Sequence, residues 1–246
     1  EAVEDIAVLY RDQRCAVVNK PCGLMAHASS LSRGEDDFLL HRLRDQFQGK
    51  VHLIHRLDRA TSGCVLLAFD AEMASLLGKV FMGRDVRKDY LAVCRGWPEE
   101  HFTVDHALDG GPGKPEKKPA VTEFIRLGAA EIALPSAAHE SSRYALMQCS
   151  PVTGRFRQIR RHLKHVSHHL IGDTSHGDGR HNRNFRMLGV HRMLLHAWRL
   201  QFVHPLSGEK VAVEAPLDRE FLKALAVLGM SEPVLDESTG GKSETN

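Results

Sequence analysis

His55-Arg56-Leu57-Asp58-Arg59-Ala60-Thr61-Ser62-Gly63 sets one carboxylate between two guanidinium groups. Opposite charge within a few ångströms favours the ionised form of an acid. An ionised carboxylate on a short, rigid loop suits a nucleophile or a general base acting on an anionic polymer. Thr61-Ser62-Gly63 turns the chain. Cys64-Val65-Leu66-Leu67-Ala68-Phe69 then runs apolar throughout, as in a strand that is covered on both faces and can anchor the loop. On these residues alone a plain surface turn, with Asp58 paired to Arg56 or Arg59, accounts for the pattern equally well, because structural ion pairs use the same residue types.

A second stretch adds cations. Thr153-Gly154-Arg155-Phe156-Arg157-Gln158-Ile159-Arg160-Arg161-His162 runs on into Leu163-Lys164. A helix is expected from about Arg155 to Val166, with Thr153 as its cap. Arg157, Arg160, Arg161 and Lys164 then recur at three- and four-residue spacings and form one cationic ridge. Ile159, Leu163 and Val166 make the opposing apolar stripe. The ridge is either an exposed helix face or a phosphate track that also brings a cation to Asp58.

Charge favours the second reading. The net charge is only +2, but Arg143 to Arg199 holds eleven Arg and Lys against two acids, Asp173 and Asp178. That segment carries +9 and leaves −7 on the remainder. Solvated faces usually interleave both signs. A segment of one sign fits a face presented to phosphates.

Half of the 16 histidines lie between His162 and His196, which raises the possibility of a metal site. The spacing argues against it, since no H-E-x-x-H occurs and no acid or cysteine stands at ligand spacing. Five cysteines (Cys15, Cys22, Cys64, Cys94, Cys149) are odd in number and never form C-x-x-C, as for free thiols in a reducing cytoplasm. Gly110-Gly111-Pro112-Gly113 lacks the Gly-Lys-Ser/Thr ending of a phosphate loop. No metal and no cofactor is expected. Without an apolar run of about 18 residues or a signal-peptide order, the reading is cytoplasmic and off the membrane.

The elements that must hold these residues follow from periodicity. Strands are expected at Ile6 to Tyr10 and Cys15 to Asn19 as a hairpin, then at Cys64 to Phe69, Val86 to Cys94, Phe102 to Ala107, Ala120 to Leu127, Arg143 to Ser150, His191 to Val203 and Lys210 to Glu214. Helices are expected at Asp36 to Gln48, Ala71 to Met82 behind an Asp70 cap, Asn182 to Leu188, and Leu217 to Leu228. A polar loop is expected up to Glu35, and a flexible loop over Gly110 to Pro119. The mixture predicts an α+β fold, one domain over residues 1–230 with a large, mainly antiparallel sheet flanked by helices. Residues 231–246 are polar and read as a disordered tail.

Taken together, the chain resembles the ribosomal large-subunit pseudouridine synthase A family. His55 to Gly63 matches that family's H-R-L-D-x-x-T-S-G motif. Asn19-Lys20-Pro21 with Gly23, Lys88-Asp89-Tyr90, Thr153-Gly154-Arg155, Gln158-Ile159-Arg160, Ile171-Gly172-Asp173, Leu195-His196-Ala197 and His204-Pro205 follow in family order. Arg161-His162-Leu163, Ser167-His168, and His176-Gly177-Asp178 with Arg180 and Asn182-Arg183 are similar to the branch that isomerises uridine-65 of tRNA. The S4-type RNA-binding domain frequent in the family is not expected, in keeping with this branch.

The resemblance implies that Asp58 is the catalytic aspartate, that Tyr90 packs on the target base, and that Arg160 pairs with the aspartate. Ile159 lies beneath the base, and Arg56 enters the helix where the uridine leaves. Arg155, Arg157, Arg161 and Lys164 are expected to contact RNA. The implied partner is tRNA, bound by a monomer; a ribosomal RNA substrate is the runner-up. Two departures stand beside the site: Arg157 replaces the family's usual His before the Gln, and His169 replaces a common Pro. A non-catalytic RNA-binding protein and a histidine-rich metallohydrolase are the readings from other classes.

Overall fold

Runs of apolar and β-branched residues pair into a ten-stranded sheet in the computed structural model, which describes residues 4–26, 38–83, 86–136 and 139–234. Val8–Arg11 (β1) and Cys15–Lys20 (β2) form the expected hairpin, closed by Asp12, whose carboxylate accepts the Arg14 and Cys15 amides at 2.7 Å. β2 pairs antiparallel with Ser62–Ala68 (β4), and His52–Leu53 (β3) covers the far end of β4. Beyond β4 come Leu195–Val203 (β11), Arg87–Arg95 (β5), Ser142–Pro151 (β10), Val121–Ile132 (β9) and His101–Asp105 (β6); Lys210–Glu214 (β12) pairs with β11. β4 and β11 are the parallel neighbours, and they meet over only two residue pairs, Ser62 with His196 and Gly63 with Ala197. Parallel strands need a long crossover, and here residues 69–194, about half of the chain, lie between them.

Strand alternation sorts the core to two faces. Leu66 of β4 packs with Met73 and Leu77 of Ala71–Met82 (α2), and Leu91 and Val93 of β5 pack with Phe185 of Gly179–Met187 (α4) and Phe221 of Arg219–Val227 (α5). On the other face, Val65 and Leu67 meet Leu39 and Leu43 of Leu39–Phe47 (α1). Ala92 and Cys94 there meet Ile159 and Leu163 of Gln158–His165 (α3). Tyr90 touches both of these latter clusters and marks the seam between them.

Several expectations shift. α3 begins at Gln158, not Arg155, because Arg157 adopts a left-handed backbone (φ 50°, ψ 37°) and Gln158 Oε1 accepts the Arg155 amide at 3.0 Å. Thr153 does not cap this helix; its hydroxyl accepts from Val121 N and donates to Gln158 Oε1. β11 starts at Leu195, since Arg192 turns inward from an irregular segment. α4 starts three residues earlier than expected, capped by Asp178. The loop over Gly110 to Pro119 is the tip of a small ribbon, Leu108–Asp109 (β7) with Lys117–Lys118 (β8). Most of the expected polar loop before Glu35, the start of the first helix, and most of the tail from Ser231 lie outside the described residues.

Candidate active site

The Asp58 loop leaves β3, enters β4, and is held from three sides. Lys20, fully buried, donates its three ammonium protons to the carbonyls of Pro21, Leu24 and Arg59 at 2.9, 2.7 and 3.1 Å. Burial pushes its pKa down to about 7, and the three carbonyls are its compensation. His55 Nε2 accepts the Leu66 amide at 3.0 Å, and its ring stacks on Phe81 at 4.5 Å. Burial lowers the His55 pKa to about 3, so the ring is a neutral structural acceptor. Ser62 Oγ meets His196 Nδ1 at 2.7 Å and accepts from Arg192 Nη2 at 2.9 Å. Arg192 is itself anchored by Asp218 and the Leu195 carbonyl.

Gly63 is required at the parallel junction. Its φ is +111°, and a Cβ there would stand 2.2 Å from the Ala197 carbonyl oxygen. The close approach aligns one row of the sheet, Gly63–Ala197–Tyr90–Cys149, across four strands. Tyr90 is therefore set two strands from the end of the Asp58 loop, on the α1 and α3 side.

Asp58 finds its partner across the molecule. Arg160 Nη1 donates to Asp58 Oδ2 at 2.6 Å, while Arg160 Nε and Nη2 form a bidentate pair with Asp173 at 2.6 and 2.8 Å. Asp173 is completely buried and also accepts the Ser175 and His176 amides at 2.9 Å. Burial opposes the charges on Arg160 and Asp173, but their mutual bonds outweigh it: the Arg160 pKa is raised and that of Asp173 lowered. Asp58 keeps 30% side-chain exposure, and its Oδ1 has no hydrogen bond among the described residues. One oxygen of this carboxylate is thus held by a guanidinium and the other is left without a hydrogen bond among the described residues, which is more than a local turn contact.

The other expected residues divide. Ile159 and Tyr90 belong to one apolar cluster that includes Ala60 of the Asp58 loop. The Tyr90 hydroxyl makes no hydrogen bond among the described residues. Its pKa is raised by burial and by the nearby Cys64 and Asp58. Arg56 is exposed with no bond among the described residues, so it is not the partner of Asp58. The single cationic ridge does not form. Arg160 turns inward, Arg161 pairs with Asp109 at 2.7 Å, Arg155 Nε donates to the Pro119 carbonyl, and Lys164 stays exposed. Arg157 lies at the helix N-terminus beside Ser175.

Asp12, Cys15 and His204 form the one cluster of three metal-ligating side chains among the described residues. Its donors are occupied by protons. His204 Nδ1 accepts from the Leu206 and Ser207 amides, which leaves the proton on Nε2, 3.1 Å from Asp12. Cys15 donates its thiol proton to Asp12, and burial pushes its pKa to about 12. The set fits a hydrogen-bonded hairpin brace better than an ion.

The chain that carries Asp58, Arg160 and Tyr90 has relatives. The family model for RNA pseudouridylate synthase matches residues 14–165, which contain Asp58, Tyr90 and Arg160. The chain belongs to the RNA pseudouridylate synthase family. It is 39% identical over 224 residues to tRNA pseudouridine synthase C of Vibrio parahaemolyticus, covering 87% of this chain and 91% of that one. Against the Vibrio cholerae protein of the same name, identity is 36% over 94% of this chain and 98% of that one. The solved structure of human RNA pseudouridylate synthase domain containing 1 superposes with a TM-score of 0.69 at 28% identity, over 88% of this chain and 85% of the other. Human RNA pseudouridylate synthase domain containing 4, at 24% identity and a TM-score of 0.70, shares the fold over 93% and 95% of the two chains.

Within this family site, sequence reasoning left Asp173, Lys20 and Arg192 without roles. Asp173 and Lys20 stood in short motifs whose spacing carries no contact information. Arg192 was hidden in a segment read as strand.

Proposed function

We propose that this protein isomerises uridine to pseudouridine in tRNA, at position 65 in the T stem, with Asp58 as the catalytic carboxylate. The observation that carries the reading is Arg160, which holds Asp58 Oδ2 at 2.6 Å from 102 residues away and leaves Oδ1 without a hydrogen bond among the described residues. The tRNA substrate rests on the relatives named tRNA pseudouridine synthase C.

The reaction breaks the bond from C1′ to N1 and makes one from C1′ to C5. The C5 proton departs and N1 gains one, so nothing is oxidised and no cofactor is needed for balance. The target base must leave the stack, at about a few kcal/mol. In this reading Arg56, which is exposed, fills the gap, and Tyr90 and Ile159, which share an apolar cluster, are the wall for the detached uracil. Burial raises the Tyr90 pKa, so the ring meets the uracil as a neutral phenol, and in this reading it stacks on the base.

Asp58→Ala is expected to abolish tritium release from C5-labelled uridine in a single-turnover assay while leaving tRNA affinity within a few-fold. Near-normal release would overturn Asp58 as the catalytic group. Mapping pseudouridine in total RNA of a deletion strain tests the position: loss confined to ribosomal RNA would refute the tRNA assignment.

A further inference from the structure

Two polar atoms beside the Asp58–Arg160 pair have been taken out of water and given nothing in return. Arg157 Nε is buried without an acceptor among the described residues, and Nη1 reaches Ser175 Oγ only at 3.5 Å. His176 Nε2 is buried and equally without a partner there. Buried polar atoms of this kind are rare and costly when unmet. The neighbouring carboxylate cannot serve them. Asp173 Oδ1 already accepts from Arg160 Nη2 and from the Ser175 and His176 amides, and Oδ2 from Arg160 Nε.

The backbone pays attention to the same spot. Arg157 holds a left-handed conformation, φ 50°, that a residue with a Cβ rarely adopts, and such conformations concentrate where function needs them. Phe156 supports the guanidinium from one side, its ring centroid 4.8 Å away. The ring in turn rests on Gly111, where a Cβ would stand 2.7 Å from Phe156 Cδ1. What the pocket lacks is an acceptor with negative charge.

We infer that Arg157 and His176 form a subsite for one phosphate of the bound RNA, that of a nucleotide adjacent to the one presented to Asp58. The inference rests on the tRNA reading above. Burial keeps His176 neutral, so it offers a single N–H, while Arg157 supplies the charge. The guanidinium that stands in place of the usual histidine thus adds a permanent cation next to the reacting nucleotide.

Arg157→Gly tests this without harming the fold, because glycine accepts the left-handed backbone freely. Transfer RNA binding by the full chain is measured across a salt series, with steady-state kinetics alongside. The expected result is a roughly tenfold loss of affinity and a salt slope shallower by about 1. Arg157→Lys should restore the slope. His176→Gln should weaken binding without changing the slope. Wild-type affinity and slope in Arg157→Gly, with wild-type enzyme turning over normally, would overturn the subsite and leave the function intact. Absence of turnover in the wild type would instead overturn the function, whatever the slopes.

Discussion

Removing Arg160 separates its two jobs. Arg160→Met keeps the side-chain length but strips the charge from between Asp58 and Asp173, whose side chains are 30% and 0% exposed. Asp58 can find water. Asp173 cannot, and is left with the Ser175 and His176 amides as its support. Breaking a buried pair in this way costs about 3–5 kcal/mol. For a chain of this size that is a fall in Tm of roughly 6–20 °C. Adding Asp173→Asn removes the stranded charge but keeps the shape and an oxygen for the two amides. The double variant should therefore recover most of the lost stability, to within about 1–2 kcal/mol of wild type. Activity should not recover, since Asp58 still lacks its guanidinium. Urea midpoints and single-turnover pseudouridine formation on wild type, Arg160→Met and the double variant read both quantities. If stability and activity return together in the double variant, Arg160 acts only as filler for Asp173. If Arg160→Met alone is as stable as wild type, the buried triad is not energetically coupled.

Gly63→Ala should destabilise by about 3 kcal/mol or more, because its Cβ would sit 2.2 Å from the Ala197 oxygen at φ +111°; a urea midpoint equal to wild type would show that β4 and β11 can part at no cost. Acid should unfold the protein early. His55 and His196 have pKa values pushed by burial to about 3 and about 4, so the unfolded chain binds protons that the fold refuses. That contribution is whole above pH 6.5 and shrinks as pH falls towards 4, by roughly 2 kcal/mol per histidine at pH 5; a flat stability between pH 7 and 5 would contradict it. Tyr90→Phe should retain measurable turnover, and a dead variant would assign the hydroxyl to proton abstraction.

Periodicity recovered nine of the twelve strands and the five helices among the described residues to within about five residues, because each is amphipathic or wholly apolar over most of its length; β3, β7 and β8, two residues each, are too short to carry a pattern. It failed where side chains overrule the pattern. Gln158 folds back on Arg155 N and shortens a helix whose spacing looked unbroken. Arg192 points inward from a stretch whose composition suited a strand. The Asp58 loop was legible as chemistry, and the family motif pointed to Arg160 as its partner. The third member was not: Asp173 lies 13 residues after Arg160, and only the fold turns that separation into a bidentate pair.

The same inward turn changes what the basic segment can do to RNA. Counted in sequence, Arg143 to Arg199 offers eleven cations. Five of them are answered by carboxylates: Arg143 by Glu131, Arg160 by Asp58 and Asp173, Arg161 by Asp109, Arg192 by Asp218, and Arg199 by Glu214. Those acids come mostly from outside the segment, which is where the compensating −7 is spent. Arg155, Arg157, Lys164, Arg180, Arg183 and Arg186 remain without an ion pair among the described residues. At about 0.9 per neutralised phosphate, six cations support a salt slope near 5, where eleven would give about 10. A measured slope for tRNA near 10 would mean that the internal pairs open on binding, and that Arg160 leaves Asp58 when RNA arrives. A slope near 5 keeps the triad closed around Asp58 while the RNA is held.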